Sequence, residues 1–176
     1  MQIKFPFSES NSLAGRYLLN NQPRKMILEA RIETTHALEV QRRGYYTKPE
    51  LMDVLYWKVP NMRDIAECND EQDIISITRD ALSTQDEAKK IKKLVQLQGV
   101  SWLSASVLLH FGSKVPCPIL DRRCCWSAGY EYTGKFDPAD WLEYVKICRI
   151  YSAEARVSMR TLDRALLQFA RENKGK

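Results

Sequence analysis

A carboxylate followed by two arginines, Asp121-Arg122-Arg123, stands 22 positions beyond Gly99 in this 176-residue chain. Held beside a sugar ring, such a carboxylate stabilises the positive charge that builds as a glycosidic bond breaks, and it orients or deprotonates the attacking water. Asp121 also suits a second role, capping the helix that follows, because its side chain can accept hydrogen bonds from the free N–H groups of a first turn. The two roles are compatible. Upstream, Leu97-Gln98-Gly99-Val100-Ser101 sets a turn glycine between two apolar helical runs. A helix that starts from such a turn presents unpaired N–H donors and a favourable dipole to an anion. Gln98, Gly99, Val100 and Ser101 are therefore candidate contacts to a nucleic-acid phosphate, with an ordinary packing joint between two helices as the other reading.

Helices must position these groups, since no alternating strand pattern occurs and seven glycines leave few places for hairpins. Residues 1–23 read as an arm with a short helix. Residues 24–42 contain no proline or glycine, place Ile27, Ile32, Leu38 and Val40 along a core helix, and end at Gly44. Thr47-Lys48-Pro49-Glu50 starts a helix to about Trp57, Pro60 opens a short one, and residues 70–82 form another. Thr84 and Glu87 have the spacing of a capping box for the helix that enters the glycine turn. The next helix runs from Ser101 or Trp102 to about Gly112. Asp121 starts a further one, Asp137-Pro138 starts one to about Ser152, and Ser158 caps a last one to about Asn173. The expected fold class is all-α, a single domain over 1–176 of two interleaved lobes, with the two helices around Gly99 spanning about 86–111.

With 44% hydrophobic residues the chain can bury a substantial core, and its net charge of +5 favours an anionic partner. Five cysteines, Cys68, Cys117, Cys124, Cys125 and Cys148, are an odd number without repeated metal-ligand spacing. Neither a disulfide framework nor a zinc site is expected, and the vicinal pair Cys124-Cys125 reads as small apolar side chains on a helix. No signal segment and no apolar run of about eighteen residues occurs, so a cytoplasmic protein without a membrane partner is expected. His36 and His110 lack neighbours for metal binding and read as structural.

The residues Leu97, Gly99, Val100, Ala105 and Asp121 resemble the motif of the helix-hairpin-helix (HhH-GPD) DNA glycosylases, in which a hairpin is followed by an aspartate. Ser101 stands where that family has its second glycine. The resemblance implies a two-lobed helical fold with a cleft, a hairpin that grips phosphates, and an aspartate that assists base release. Family members that also nick the strand carry a lysine four positions after the first hairpin glycine. Here that position is Leu103, which implies a monofunctional hydrolase that leaves an abasic site and forms no Schiff base. No iron-sulfur cluster is expected, because no cysteine follows Cys148. No cofactor is required, although the family often holds a monovalent cation at hairpin carbonyls. The implied partner is double-stranded DNA with a damaged or modified base, bound by a monomer.

In that family the DNA backbone passes near the hairpin and the aspartate, which makes Lys114, Arg122 and Arg123 candidate phosphate contacts. Lys89, Lys90, Lys92 and Lys93 span more than one helical face and read as solvated surface. A flipped base needs stacking rings and polar groups. Tyr45, Tyr46, Trp57 and Lys58 are the pocket candidates, among other rings at Tyr56, Trp102 and Trp126. A second carboxylate assists in some members, but nothing separates Glu29, Glu33 and Glu39. The alternative function is a non-catalytic helix-hairpin-helix module that binds DNA, and a third is an all-α scaffold unrelated to DNA.

Overall fold

Short-range capping chemistry sets many of the helix starts in this chain. The computed structural model describes residues 2–130 and 136–174, and among these the regular structure is entirely helical. A 3-10 turn at Phe7–Glu9 leads into α1 (Ser10–Leu19), followed by α2 (Pro23–Arg31), α3 (Ala37–Arg43), α4 (Lys48–Lys58) and α5 (Arg63–Ala66). Then come α6 (Glu71–Ser83), α7 (Glu87–Leu94), α8 (Trp102–Gly112), α9 (Arg122–Ser127), α10 (Pro138–Glu154) and α11 (Met159–Asn173). No described helix is long and apolar enough to cross a membrane.

Several expected caps form. The Glu50 carboxylate accepts from the Thr47 N–H at 2.9 Å, Asp137 accepts from the Asp140 N–H at 2.9 Å, and Ser158 accepts from the Thr161 N–H at 3.0 Å. Gly44 ends α3 in the left-handed conformation, at φ 86°. The cap expected at Thr84 does not form. Asp86 takes that role, accepting from the Ala88 and Lys89 N–H groups at 3.0 Å each, while the Thr84 hydroxyl accepts from the Asp86 N–H at 3.3 Å. An anionic acceptor two residues nearer the helix outcompetes a hydroxyl for first-turn donors. Those bonds, the one from Lys89 above all, lower the Asp86 pKa from its ordinary value.

The expected core helix over residues 24–42 is interrupted by a π-helical segment, Ile32–His36. The wider turn re-aims the buried stripe onto Glu29, Ile32, Ala37 and Val40, with a five-residue step in its middle. Ile27 and Leu38 are 72% and 62% exposed rather than part of the core.

The chain divides into two compact units, the first made of Met1–Asn21 with Pro116–Lys176 and the second of Gln22–Val115. In the first, α11 packs against α1, α9 and α10. Leu13, Tyr17, Trp141, Tyr144, Cys148, Leu162 and Leu166 are buried in its core. The expected arm is thus a docked ten-residue helix, tied by Arg16, whose guanidinium bonds both Glu172 carboxylate oxygens at 2.7 and 2.9 Å. Cys124 and Cys125 are buried on α9, and the Ser127 hydroxyl donates to the Leu166 carbonyl at 2.7 Å. In the second unit α8 packs against α3, α4 and α7, and α6 packs against α7.

Tyr46 in the second unit and Tyr144 in the first are fully buried, donating to the Leu108 and Ile119 carbonyls at 2.7 and 3.1 Å. Burial raises both phenols well above their ordinary range, with Glu50 adding to the effect at Tyr46. A phenol raised in the folded state contributes stability below the unfolded value, about pH 10, and loses it as pH rises beyond. Near-ultraviolet titration should find these two tyrosines protonated until the chain unfolds, with stability in urea falling progressively above about pH 10.

Candidate nucleic-acid interface

The turn joining α7 and α8 is built on Gly99, whose φ of 76° lies in the left-handed region that glycine enters without penalty. A side chain is excluded there for a second reason, because a Cβ at position 99 would lie 3.0 Å from the Ala66 nitrogen and 3.2 Å from the Met62 carbonyl oxygen. Leu97 and Val100 on either side are buried and anchor the turn. Within it, the Leu97 N–H donates to the Leu94 carbonyl at 3.2 Å and the Val100 N–H to the Leu97 carbonyl at 3.1 Å.

Ser101 does not need the positive φ of a glycine. It is extended, at φ −88° and ψ 173°, and caps α8 together with Ser104. Its N–H donates to the Ser104 hydroxyl at 2.8 Å, and its own hydroxyl accepts from the Ser104 N–H at 3.4 Å. Asn69 makes the strongest local claim on the turn. Its amide accepts from the Gln98 N–H at 2.8 Å and donates to the Gln98 carbonyl at 2.9 Å, with a further bond to the Ala66 carbonyl at 2.8 Å. The Gln98, Val100 and Ser101 N–H groups are thus engaged inside the protein. The N–H groups of Trp102 and Leu103, which open α8, lack partners within the helix. The Leu97 and Gln98 carbonyls each accept one hydrogen bond, from the Val100 N–H and the Asn69 amide. Among the described residues no cluster of three metal-ligating side chains occurs.

In the first unit, Asp121 is half-exposed and extended at the start of α9, where it accepts from the Arg123 N–H at 2.9 Å. The segment before it is pinned, with Cys117, Ile119 and Leu120 buried. Arg122 and Arg123 are exposed on the first turn of α9. Two cations there oppose the helix dipole, so Asp121 offsets charge as well as capping. Lys114, in the second unit, is exposed just beyond the last turn of α8.

The aromatic candidates separate by burial. Tyr46 is a core residue, and its ring fills the space left by Gly112, where a Cβ would lie 2.7 Å from the ring carbon Cε2. Trp57 is buried edge-on against Phe111 at 5.8 Å between centroids, with the Lys25 ammonium 5.1 Å from its ring centre. Neither can receive a base without opening the core, which corrects their assignment to a base pocket. Tyr45 is half-buried, with the guanidinium groups of Arg43 and Arg79 at 4.7 and 4.6 Å from its ring centroid. Lys58 is half-buried at the end of α4. Trp102 is half-buried, and Trp126, also half-buried, stacks on Phe169 with Lys4 above it at 3.6 Å.

Other expectations resolve in the same way. Lys90 is only 3% exposed and pairs with Glu87 at 3.2 Å, so it is not part of a solvated face. Lys89 and Lys92 are exposed, and Lys93 pairs with Asp80 at 2.8 Å. Glu29 is fully buried, which sets it apart from Glu33 and Glu39. His36 bonds Asp53 at 2.8 Å, and Arg31 bonds the same oxygen at 2.6 Å. His110 meets Phe111 edge-on at 4.9 Å.

No local signal marks Asn69, because its partner lies 29 residues away. Replacing Asn69 by Ala should cost about 2–3 kcal/mol in chemical denaturation, since both backbone groups of Gln98 lose their partner. Amide exchange at Gln98 should quicken in that variant. Searches against models of known protein families, against curated proteins and against solved structures find no match to this chain, so its functional reading rests on these residues.

Proposed function

We propose that this chain is a monofunctional DNA glycosylase with the fold of the helix-hairpin-helix glycosylases, acting on a damaged or modified base in duplex DNA. The observation that carries this reading is the pairing, in one sequence, of a tight Gly99 turn leading into a capped helix with a half-exposed Asp121 on a pinned segment. In this reading the α8 N-terminus takes a backbone phosphate on the Trp102 and Leu103 N–H groups, with Ser101 beside it. Arg122 and Arg123 add positive charge near Asp121, and Lys114 adds it beyond α8.

Base release would proceed through an oxocarbenium-like sugar, with the C1′–N bond breaking as a water attacks. The Asp121 carboxylate stabilises that charge and holds or deprotonates the water, and the base leaves with its bonding electron pair. Leu103 supplies no amine, so no covalent intermediate forms. Tyr45, whose half-buried ring has the Arg43 and Arg79 guanidiniums close by, and Lys58 remain the candidates for contact with the extruded base.

A non-catalytic DNA-binding module is the second reading, and the hydrogen bond from Arg123 to Asp121 favours it, because a capping aspartate needs no chemistry to explain it. The two readings differ over one substitution. Duplexes bearing a panel of damaged and modified bases, treated with alkali after incubation, should break where the base has been released. Asp121→Asn should slow that release at least about a hundredfold while leaving duplex affinity unchanged. Borohydride should trap no protein-DNA adduct. Intact DNA across the panel with salt-dependent binding would point to the module instead.

A further inference from the structure

A cavity of about 300 Å³ opens in the second unit where the ends of α3, α6 and α8 meet the loop before α7. It lies at the far end of α8 from the Gly99 turn, about 15 Å along the helix. Four cations line it, Arg43, Arg79, Lys90 and Lys114, and no carboxylate does. Glu50 pairs with Arg43 and Glu87 with Lys90 from outside the lining. Arg79 and Lys114 have no carboxylate partner among the described residues.

Two features of this cluster call for an anion. The Arg43 and Arg79 guanidiniums are held against one ring, that of Tyr45, and their mutual repulsion is met by the single charge of Glu50. Arg43, which lines the cavity, moreover has its Nε buried with no hydrogen-bond partner. Thr84 and Ser113 add hydroxyls to the wall. Guanidinium forks, an ammonium and hydroxyls are the donor set that recognises a tetrahedral oxyanion. We propose that this cavity is a phosphate-binding site, separate from the hairpin, that takes the phosphate group of a free phosphoester or of a DNA backbone. The assignment does not depend on base excision and stands if the chain has no glycosylase activity.

The test is a titration of the full chain, isotopically labelled, with inorganic phosphate at low ionic strength, using matched chloride as the control. Saturable shifts are expected at the Gly44, Lys90 and Ser113 amides and not at Gly99. Arg79→Gln and Lys114→Gln are exposed changes that leave the fold intact, and each should weaken phosphate binding about tenfold, the loss of one charge-assisted bond. Equal shifts with chloride, or unchanged binding in the folded double variant, would overturn the site. Adding an unmodified duplex to the phosphate-saturated protein then separates the sources: displacement of phosphate assigns the site to a backbone phosphate, and simultaneous binding assigns it to a free phosphoester.

Discussion

Helix α8 has almost no side to give to water: Ser104, Ala105, Ser106, Val107, Leu108, Leu109, Phe111 and Gly112 are all buried. A helix apolar on every face must be enclosed, and α3, α4 and α7 supply the enclosure. Its polar groups are satisfied locally, with the Ser106 hydroxyl donating to the Leu103 carbonyl at 2.7 Å and Tyr46 donating to the Leu108 carbonyl at 2.7 Å. The consequence is a rod that can neither slide nor rotate without exposing apolar surface or stranding a hydrogen bond. The proposed functions draw on both ends of that rod, the Gly99 turn at one and the cationic cavity at the other.

The turn itself is rigid for reasons that lie outside it. Gly99 sits against the backbone of α5, and Asn69 holds Gln98 by both its N–H and its carbonyl. Under the proposed reading, a site fixed in this way would lose little entropy on taking a phosphate, because its donors are already in place. The same fixation narrows what the turn can offer, since most of its own N–H groups are engaged, and the proposed contact falls to the first residues of α8. Ser101 belongs to this arrangement of donors, acting as a cap rather than as a substitute for glycine.

Features that depend on a few neighbouring residues are legible in the sequence. The caps at Thr47, Asp137 and Ser158, the stop at Gly44 and the turn at Gly99 follow from chemistry within four positions, and all occur. The all-α class follows from the same signals. Where two acceptors compete, as at Thr84 and Asp86, spacing alone does not rank them. The π-helical turn at Ile32–His36 has no marker in the local sequence, and Ile27 and Leu38, expected in the core, are exposed. Tyr46 and Trp57 read as available rings only because a ring's surroundings depend on distant partners such as Gly112 and Phe111. Asn69 and the Arg43–Tyr45–Arg79 cluster likewise join segments tens of residues apart, beyond the reach of any local pattern.

The pairing of α1 with α11 sets an order of events during synthesis. Arg16 and Glu172 are separated by 156 positions, so α1 leaves the ribosome with its partner still unmade. At ordinary elongation speeds the wait is roughly ten to thirty seconds. During it Leu13 and Tyr17 have no core to enter, whereas the second unit becomes complete in sequence before α11 is made. The inserted unit can therefore fold first and bring the two flanking segments within reach of each other, shortening the loop that α1 and α11 must close. The nascent chain, rather than the mature protein, is where α1 is most exposed to aggregation or capture by a chaperone.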